Sequence, residues 1–303
     1  MRNQGQRRPP HVATRACVLL FALTPLLGAC ATDGGKCGEF RVMSWNVARG
    51  YGLNPPVLGA MLPRRLTTAG ALEDDERVKA ADVIALQEVC GQADAHDVGW
   101  FAAALGTPHV YFKRADPDRV GACKEGLALI SRWPIVKAGS LLLPAMKPMR
   151  KTAIWVDVRI PSERGGRLVR VWNVHMDHST TGMTAPEGRR LQLAPVLAQI
   201  AEVRGRAHDR GLVLVGDFNT LQAREPVVDD AAAVLVEALA DDQATHVLGW
   251  RLDHLFFGGL LRREAKVVTL PGSDHFAIMA DFDLPPQASE FIARERRPTV
   301  VAP

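Results

Sequence analysis

The stretch Leu212–Thr220, LVLVGDFNT, constrains this chain more than any other. Leu212, Val213, Leu214 and Val215 run without a polar break and predict a strand buried on both faces. Side chains alternate across a strand, so Asp217 and Asn219 leave it on one side while Phe218 turns into the core on the other. A carboxylate and an amide set this way can face one cleft, the first polarising a nucleophile and the second orienting a phosphate oxygen. An Asx turn closing the strand is the competing reading of the same residues.

Other segments end in the same manner. Phe40–Val47, FRVMSWNV, predicts a strand with Asn46 at its end, and Asp82–Val89, DVIALQEV, one ending in Gln87 and Glu88. Thr152–Ile160 and Arg167–Val174 alternate around a turn at Pro161–Gly166, and the second leads to Asn173 and His175. Further strands are expected at Val110–Lys113, Gly126–Ser131, Arg251–Phe257, Ala265–Leu270 and Phe276–Phe282. Helices are expected at Glu73–Ala80, Val98–Leu105, Pro186–Ala207 and Val227–Leu239. Ala48–Gly70, which holds Gly50, Gly52, Pro55, Pro56 and Pro63, reads as a long surface loop of the kind that carries function. Many strands, some joined by short hairpins, with helices between them, point to two sheets flanked by helices rather than a doubly wound parallel sheet. Composition does not shift between residues 40 and 284, which argues for one domain there.

The amino terminus is read as an address. Arg2, Arg7, Arg8 and Arg15 precede an apolar run, Ala16–Leu27, too short to span a bilayer as a mature helix. Residues 1–29 are therefore taken as a secretory signal. Leu27-Gly28-Ala29-Cys30 resembles a bacterial lipobox, which implies a lipidated Cys30, a membrane tether outside the cytoplasm, and outer-membrane sorting in a Gram-negative cell because Ala31 is not Asp. Residues 30–39 then form a Gly-rich linker and 285–303 a loosely ordered tail. Losing the signal removes four Arg and no acid, so the 37 basic and 33 acidic residues become 33 of each. A neutral mature chain offers no electrostatic argument for a nucleic-acid partner. An oxidising compartment would allow a disulfide, for which Cys90 and Cys123 are the suggested pair because each lies beside a core strand.

Taken in order, the polar strand ends are Asn46 in SWNV, Glu88 in LQEV, His175 in WNVHMDH, Asp217 and Asn219 in GDFN, Asp253 in RLDH, and Asp274 and His275 in SDHF. Together they resemble the endonuclease/exonuclease/phosphatase superfamily over about residues 40–282. The resemblance implies an α+β fold of DNase I-like type, a four-layer α/β/β/α sandwich, in a monomer. It implies divalent-metal-dependent hydrolysis of phosphoesters, with Mg²⁺ as the ion and Mn²⁺ as its alternative. Glu88 would be the principal ligand, with Asn46 beside it and Asp274 at a further metal position. Asp217 would orient or deprotonate the attacking water, and Asn219 and His175 would hold the non-bridging oxygens. His275 would be oriented by Asp253 and donate to the developing oxyanion, or serve as general base.

Arg150 and Lys151, in PMRKTAIW, stand where family members often place a phosphate contact, and Arg150 is the residue assigned to it. Arg189, Arg190 and Gln192 are read as helix packing and charge pairing. His178 either approaches the cleft or caps its loop. His96, His109, His208 and His246 show no partner pattern and are expected at the surface. The Trp, Tyr and Arg of the inositol 5-phosphatase signature are absent around Val215–Thr220, and two Tyr in all make a poor duplex-binding surface. The expected substrate is a nucleic acid, a phospholipid head group or a small phosphate, cleaved as a diester or, alternatively, as a monoester. A catalytically silent binding protein on the same fold would require one of the essential residues to be missing.

Overall fold

Nearly unbroken apolar runs give the central strands two buried faces, and this chain uses both. The computed structural model describes residues 38–48, 70–71, 73–91, 96–115, 124–145, 150–161, 166–178, 185–206 and 210–285. The expected signal, Cys30, Cys123, His208, the tail beyond residue 285 and most of the Ala48–Gly70 loop lie outside these residues. Only the backbone of Cys90 is described, so the suggested disulfide lies outside them too.

In chain order the strands are β1 (Glu39–Asn46), β2 (Val83–Gly91), β3 (His109–Arg114), β4 (Lys124–Ser131), β5 (Ile135–Leu142), β6 (Thr152–Ile160), β7 (Arg167–His175), β8 (Gly211–Asp217), β9 (Val236–Glu237), β10 (Asp253–Gly258), β11 (Leu261–Val268) and β12 (Ala277–Asp283). The helices are α1 (Glu76–Lys79), α2 (His96–Ala104), α3 (Ala185–Arg206) and α4 (Pro226–Ala232). One sheet has the order β11-β12-β1-β2-β4-β3 and the other β5-β6-β7-β8-β10-β9.

Three apolar layers define the sandwich. Phe40, Val42, Val83, Ala85, Leu127 and Ile278 of the first sheet meet Val156, Val171, Val213, Val215 and Leu255 of the second in the seam between them. The intervening residues face outward. Met43, Ile84 and Leu86 pack under Val78 and Phe101 of α1 and α2, while Trp172, Val174, Leu212 and Leu214 pack under Leu193, Val196, Ile200 and Val227 of α3 and α4. The four layers are α/β/β/α, as expected. Burial on this scale drives association of the sheets, since each fully buried Val, Leu or Phe contributes ~1.5–3 kcal/mol. No helix of the described residues is long and apolar enough to cross a membrane.

Two segments differ from expectation. Ile135–Leu142 forms the edge strand β5, whose mixed residues Lys137, Gly139 and Ser140 hide the strand pattern. The indole of Trp155 on β6 lies over Gly139, where a Cβ would meet it at 2.5 Å. The helix expected over Val227–Leu239 stops at Ala232, because Val236 and Glu237 pair with Phe257 and Phe256.

Backbone strain concentrates at one end of the sandwich. Ala48, Glu88 and Asn219 are the non-glycine residues with positive φ among the described ones, at 46°, 56° and 53°. Gly216 stands at φ +139°, and a Cβ there would lie 2.0 Å from the carbonyl oxygen of Val174 on the neighbouring strand. Gly216→Ala should therefore lower stability by about 3 kcal/mol or more in urea unfolding; a loss under about 1 kcal/mol would show that β7 and β8 are not packed this closely.

Candidate functional site

The inward rows of the seam are apolar along most of their length and become polar at one end. On β1, Phe40 and Val42 are followed in the same row by Ser44 and Asn46; on β7, Val169 and Val171 by Asn173 and His175; on β8, Val213 and Val215 by Asp217. β10 runs the other way, so its first residue, Asp253, pairs with Asp217, and His175 pairs with Asp217 from the opposite side. Glu88 reaches the same end by a different device. The register of β2 against β4 slips between Leu86 and Val89, and Leu86 and Val89 both face the outer core. This bulge, with Glu88 at positive φ, turns the residue away from the row that strict alternation would give it.

The side chains converge on Asp217. Asn46 Nδ2 donates to Asp217 Oδ2 at 2.9 Å and reaches Glu88 Oε1 at 3.4 Å, while Asn46 Oδ1 accepts from the Ala48 N–H at 2.9 Å. Asn46 thus faces both carboxylates with its nitrogen. His275 Nδ1 lies 2.8 Å from Asp253 Oδ2, and its Nε2 stands 4.0 Å from Asp217 Oδ2. His175 Nε2 lies 3.7 Å from Asp217 Oδ2 and 3.9 Å from Glu88 Oε1. Backbone contacts fix the histidine segment: Ser273 Oγ donates to Asn46 O and accepts from the His275 N–H, and Trp45 Nε1 donates to His275 O. Thr245 Oγ1 accepts the N–H groups of Leu252 and Asp253.

Asn219 closes the Asx turn considered for it. Its N–H donates to Asp217 Oδ1 at 2.8 Å in an Asx turn, and its Nδ2 donates to Met176 O at 3.0 Å. Phe218 is fully buried beneath them.

Burial acts first on Asp217. Together with the charge of Asp253 it pushes this carboxyl up to about 7, against the opposing effects of His275 and the Asn46 hydrogen bond. For His275 burial favours the neutral ring, but the charge and hydrogen bond of Asp253, then Asp217 and Asp274, raise it to about 10. At neutral pH the site therefore offers a carboxyl poised to exchange its proton beside a protonated imidazole.

Three residues join the site that the sequence reading did not assign to it. Lys151 is buried with its Nζ 3.3 Å from His175 Nε2, whereas Arg150, chosen from the same pair, is exposed. An ammonium has only hydrogens to offer, so His175 Nε2 accepts and the donor facing this part of the site is Lys151. Glu125 is the second residue of β4, just before Gly126, and its ligand atom lies within 4.8 Å of those of Glu88 and His175. Its place directly before the apolar run GLALIS was the available signal. His246, expected at the surface, is 5% exposed because the 245–250 turn folds against Asp274–Phe276.

Other expected residues stand apart. His178 is exposed on its loop. Arg189 pairs with Glu225, Arg190 with Asp230, and Gln192 accepts from the Asp177 N–H, which makes them the helix packing and charge pairs foreseen.

Residues 43–275 match the Endonuclease/Exonuclease/phosphatase family, and the chain belongs to it. Among solved structures, an endonuclease/exonuclease/phosphatase from Beutenbergia cavernae is 21% identical with a TM-score of 0.63, covering 81% of this chain and 72% of that one. The human Nocturnin catalytic domain with bound sulfate is 22% identical with a TM-score of 0.63, over 82% of this chain and 96% of that one. A mannosyl-6-phosphatase from Bacteroides thetaiotaomicron is 19% identical with a TM-score of 0.61, over 80% and 99%. These likenesses establish the fold. Two curated relatives, UPF0294 proteins of Vibrio vulnificus and Yersinia pseudotuberculosis, are 29% and 31% identical over 125 and 122 residues. The matches cover 40% and 39% of this chain and 41% and 44% of those relatives, less than half of their length.

The two shifted groups set a pH dependence. Deprotonation of Asp217 should raise kcat/KM as pH increases through about 7, and loss of the His275 proton should lower it above about 10. Asp253 raises both groups, so Asp253→Asn should move both limbs of the profile to lower pH; an alkaline limb that stays in place would break the link between Asp253 and His275.

Proposed function

We propose that this protein is a divalent-metal-dependent phosphoester hydrolase, acting as a phosphodiesterase or nuclease and anchored outside the cytoplasm through lipidated Cys30. The observation that carries the reading is the buried pair of Asp217 and His275, two proton-handling groups 4.0 Å apart and each held by a partner, Asn46 and Asp253. Hydrolysis of a phosphoester needs a water relieved of a proton and charge stabilisation on the phosphoryl oxygens. Asp217 takes the first role, orienting or accepting the proton of the water. His275, protonated and fixed by Asp253, donates to the oxyanion that develops.

Glu88 and Asp274 would hold the ion, with Asn46 keeping Glu88 and Asp217 aligned. Glu88 and Asp274 are both partly exposed, and such carboxylates fit a hard cation such as Mg²⁺ or Mn²⁺, which prefers one or two carboxylates and retained waters. When bound, the ion supplies charge neutralisation at the phosphate and leaving oxygen. Lys151, with Asn219 and His175, lines the oxygens' side of the site, and the assignment of a phosphate contact passes from Arg150 to its neighbour.

The direction of the tether bears on the substrate. Glu39, where β1 begins, pairs with Asp283, while Asn46 ends β1 seven residues later at the site. That separation spans roughly 23 Å at ~3.3 Å per residue. A chain anchored through Cys30 enters the domain at the end remote from the site, which favours a water-borne substrate over a phospholipid of the anchoring membrane. Monoester hydrolysis is the second reading, since the mannosyl-6-phosphatase shares the fold over 80% of this chain.

A substrate panel tests these branches: plasmid and single-stranded DNA, RNA, sphingomyelin, phosphatidylinositol, and sugar and inositol phosphates, each with Mg²⁺, Mn²⁺ or EDTA and with a His275→Ala blank. Metal-dependent cleavage of nucleic acid, lost in the blank, is expected; release of inorganic phosphate from a small monoester would select the second reading. Silence across the panel with the ion bound would remove the enzyme assignment. Lys151→Met should lower kcat/KM by about 10²–10³ while Arg150→Ala changes it by less than about threefold; the reverse ranking would return the phosphate contact to Arg150. For Glu88→Gln, the metal concentration needed for half-maximal rate should rise by at least about tenfold.

A further inference from the structure

Beside the site, a turn is fastened to the segment that carries Asp274 and His275. Phe276 donates its N–H to Thr245 O at 2.7 Å, Val247 to Asp274 O at 3.0 Å, and His246 forms a β-bridge with His275. These contacts hold the His246 ring in one place. The indole of Trp250 stacks on it, with centroids 5.4 Å apart and planes 9° from parallel, and the ring meets His275 edge-on at 5.0 Å and 80°.

The hydrogen positions follow from the backbone. His246 Nδ1 accepts the Leu248 N–H at 3.2 Å, so in the neutral ring the single hydrogen sits on Nε2. Nε2 faces Asp274 Oδ2 at 3.6 Å. That is just beyond hydrogen-bond range, and a small rotation of the carboxylate closes it. Ser273 Oγ lies 3.5 Å from Asp274 Oδ1, but its one hydrogen goes to Asn46 O at 2.6 Å. His246 cannot itself be a ligand in this arrangement. Freeing the Nε2 lone pair would move the hydrogen to Nδ1, against the N–H of Leu248.

We propose that His246 is a positioning residue for Asp274: its fixed Nε2–H sets the orientation in which the Asp274 carboxylate meets a divalent ion, and so sets the affinity for that ion. The inference rests on the reading that Asp274 helps to hold the ion. A carboxylate with loose contacts must be ordered when an ion binds, and a donor already locked in place reduces what is lost. Trp250 and the two backbone bridges lock this donor.

The test is Mn²⁺ binding to the full chain, stripped with chelator and dialysed, followed by titration calorimetry and by the electron paramagnetic resonance of free Mn²⁺. His246→Phe keeps a ring for Trp250 and His275 but has no N–H, and should weaken Mn²⁺ binding by about 10–100-fold. His246→Gln returns an N–H near the position of Nε2 and should restore affinity to within about threefold of wild type. Unchanged affinity in His246→Phe, or equal loss in His246→Gln, would overturn the proposal, the second outcome assigning the residue to packing alone. His246→Leu carries the same expectation should the Phe variant not fold. A wild-type chain that binds no Mn²⁺ would overturn the ion site and this inference together. Binding that depends on His246 in a chain that hydrolyses no phosphoester would leave the inference standing and remove the proposed function.

Discussion

Two six-stranded sheets pressed face to face exclude water from the seam between them, so a polar side chain in an inward row must find its partner within the protein. Where the apolar rows end, this requirement is met in tiers. Gln87 Nε2 donates to Asn173 Oδ1 at 2.8 Å and to Ser44 Oγ at 3.1 Å, and Asn173 Nδ2 donates to the carbonyls of Leu86 and Ala128, both at 3.0 Å. The next tier outward is Asn46 on Asp217. Each tier crosses from one sheet to the other, so the polar end of the seam sets how the sheets are placed against each other. Separating one partner would leave a buried group unsatisfied at about 1–3 kcal/mol. The same exclusion of water acts on the proton affinity of Asp217, which makes the packing of the sheets and the chemistry of the site one problem.

Strain falls where that packing meets the site. An unbroken β2 would direct Glu88 toward the helices with Leu86, and the bulge reverses this at the cost of a left-handed backbone. Asn219 accepts a similar conformation to close its turn on Asp217, and Gly216 lets β8 approach the Val174 carbonyl more closely than any side chain permits. Non-glycine residues held at positive φ persist only when the surroundings over-determine them. Here the surroundings are the ladders of β1, β2, β7 and β8, already committed by the apolar seam.

Much of this was legible in the sequence because the inward rows obey a period of two. Once Val213 and Val215 face the seam, Asp217 must follow, and the same count places Asn46, Asn173 and His175. The count fails at Glu88, where only the bulge explains the direction, and it says nothing about Lys151 or Glu125, which stand at strand starts facing the site through tertiary packing. His246 was invisible for another reason. Its burial comes from a turn that pairs with a segment about thirty residues away, and no local pattern in HVLGW announces that partner. β5 escaped notice because an edge strand with Gly139 under an indole has no apolar period to detect.

The broken helix after Ala232 shows how a departure from local preference can serve the site. Val227–Leu239 carries apolar residues at helical spacing, yet the chain leaves the helix and extends so that Glu237 lies against β10. There its carboxylate accepts Arg251 Nη2 and His254 Nδ1, each at 2.7 Å. The Thr220 hydroxyl has one hydrogen, which goes to Arg251 O at 2.6 Å, so the 2.8 Å contact with His254 Nε2 requires that nitrogen to donate as well. Both ring nitrogens of this fully buried histidine are thereby partnered, and Nδ1 meets a carboxylate that only an extended segment 236–237 brings to it. A continued helix would leave this ring nitrogen without its carboxylate partner. His254 sits between Asp253 and the turn containing Asn219 and Thr220, so the sacrificed helical turns hold the back of the site while Asp253 holds His275 at the front.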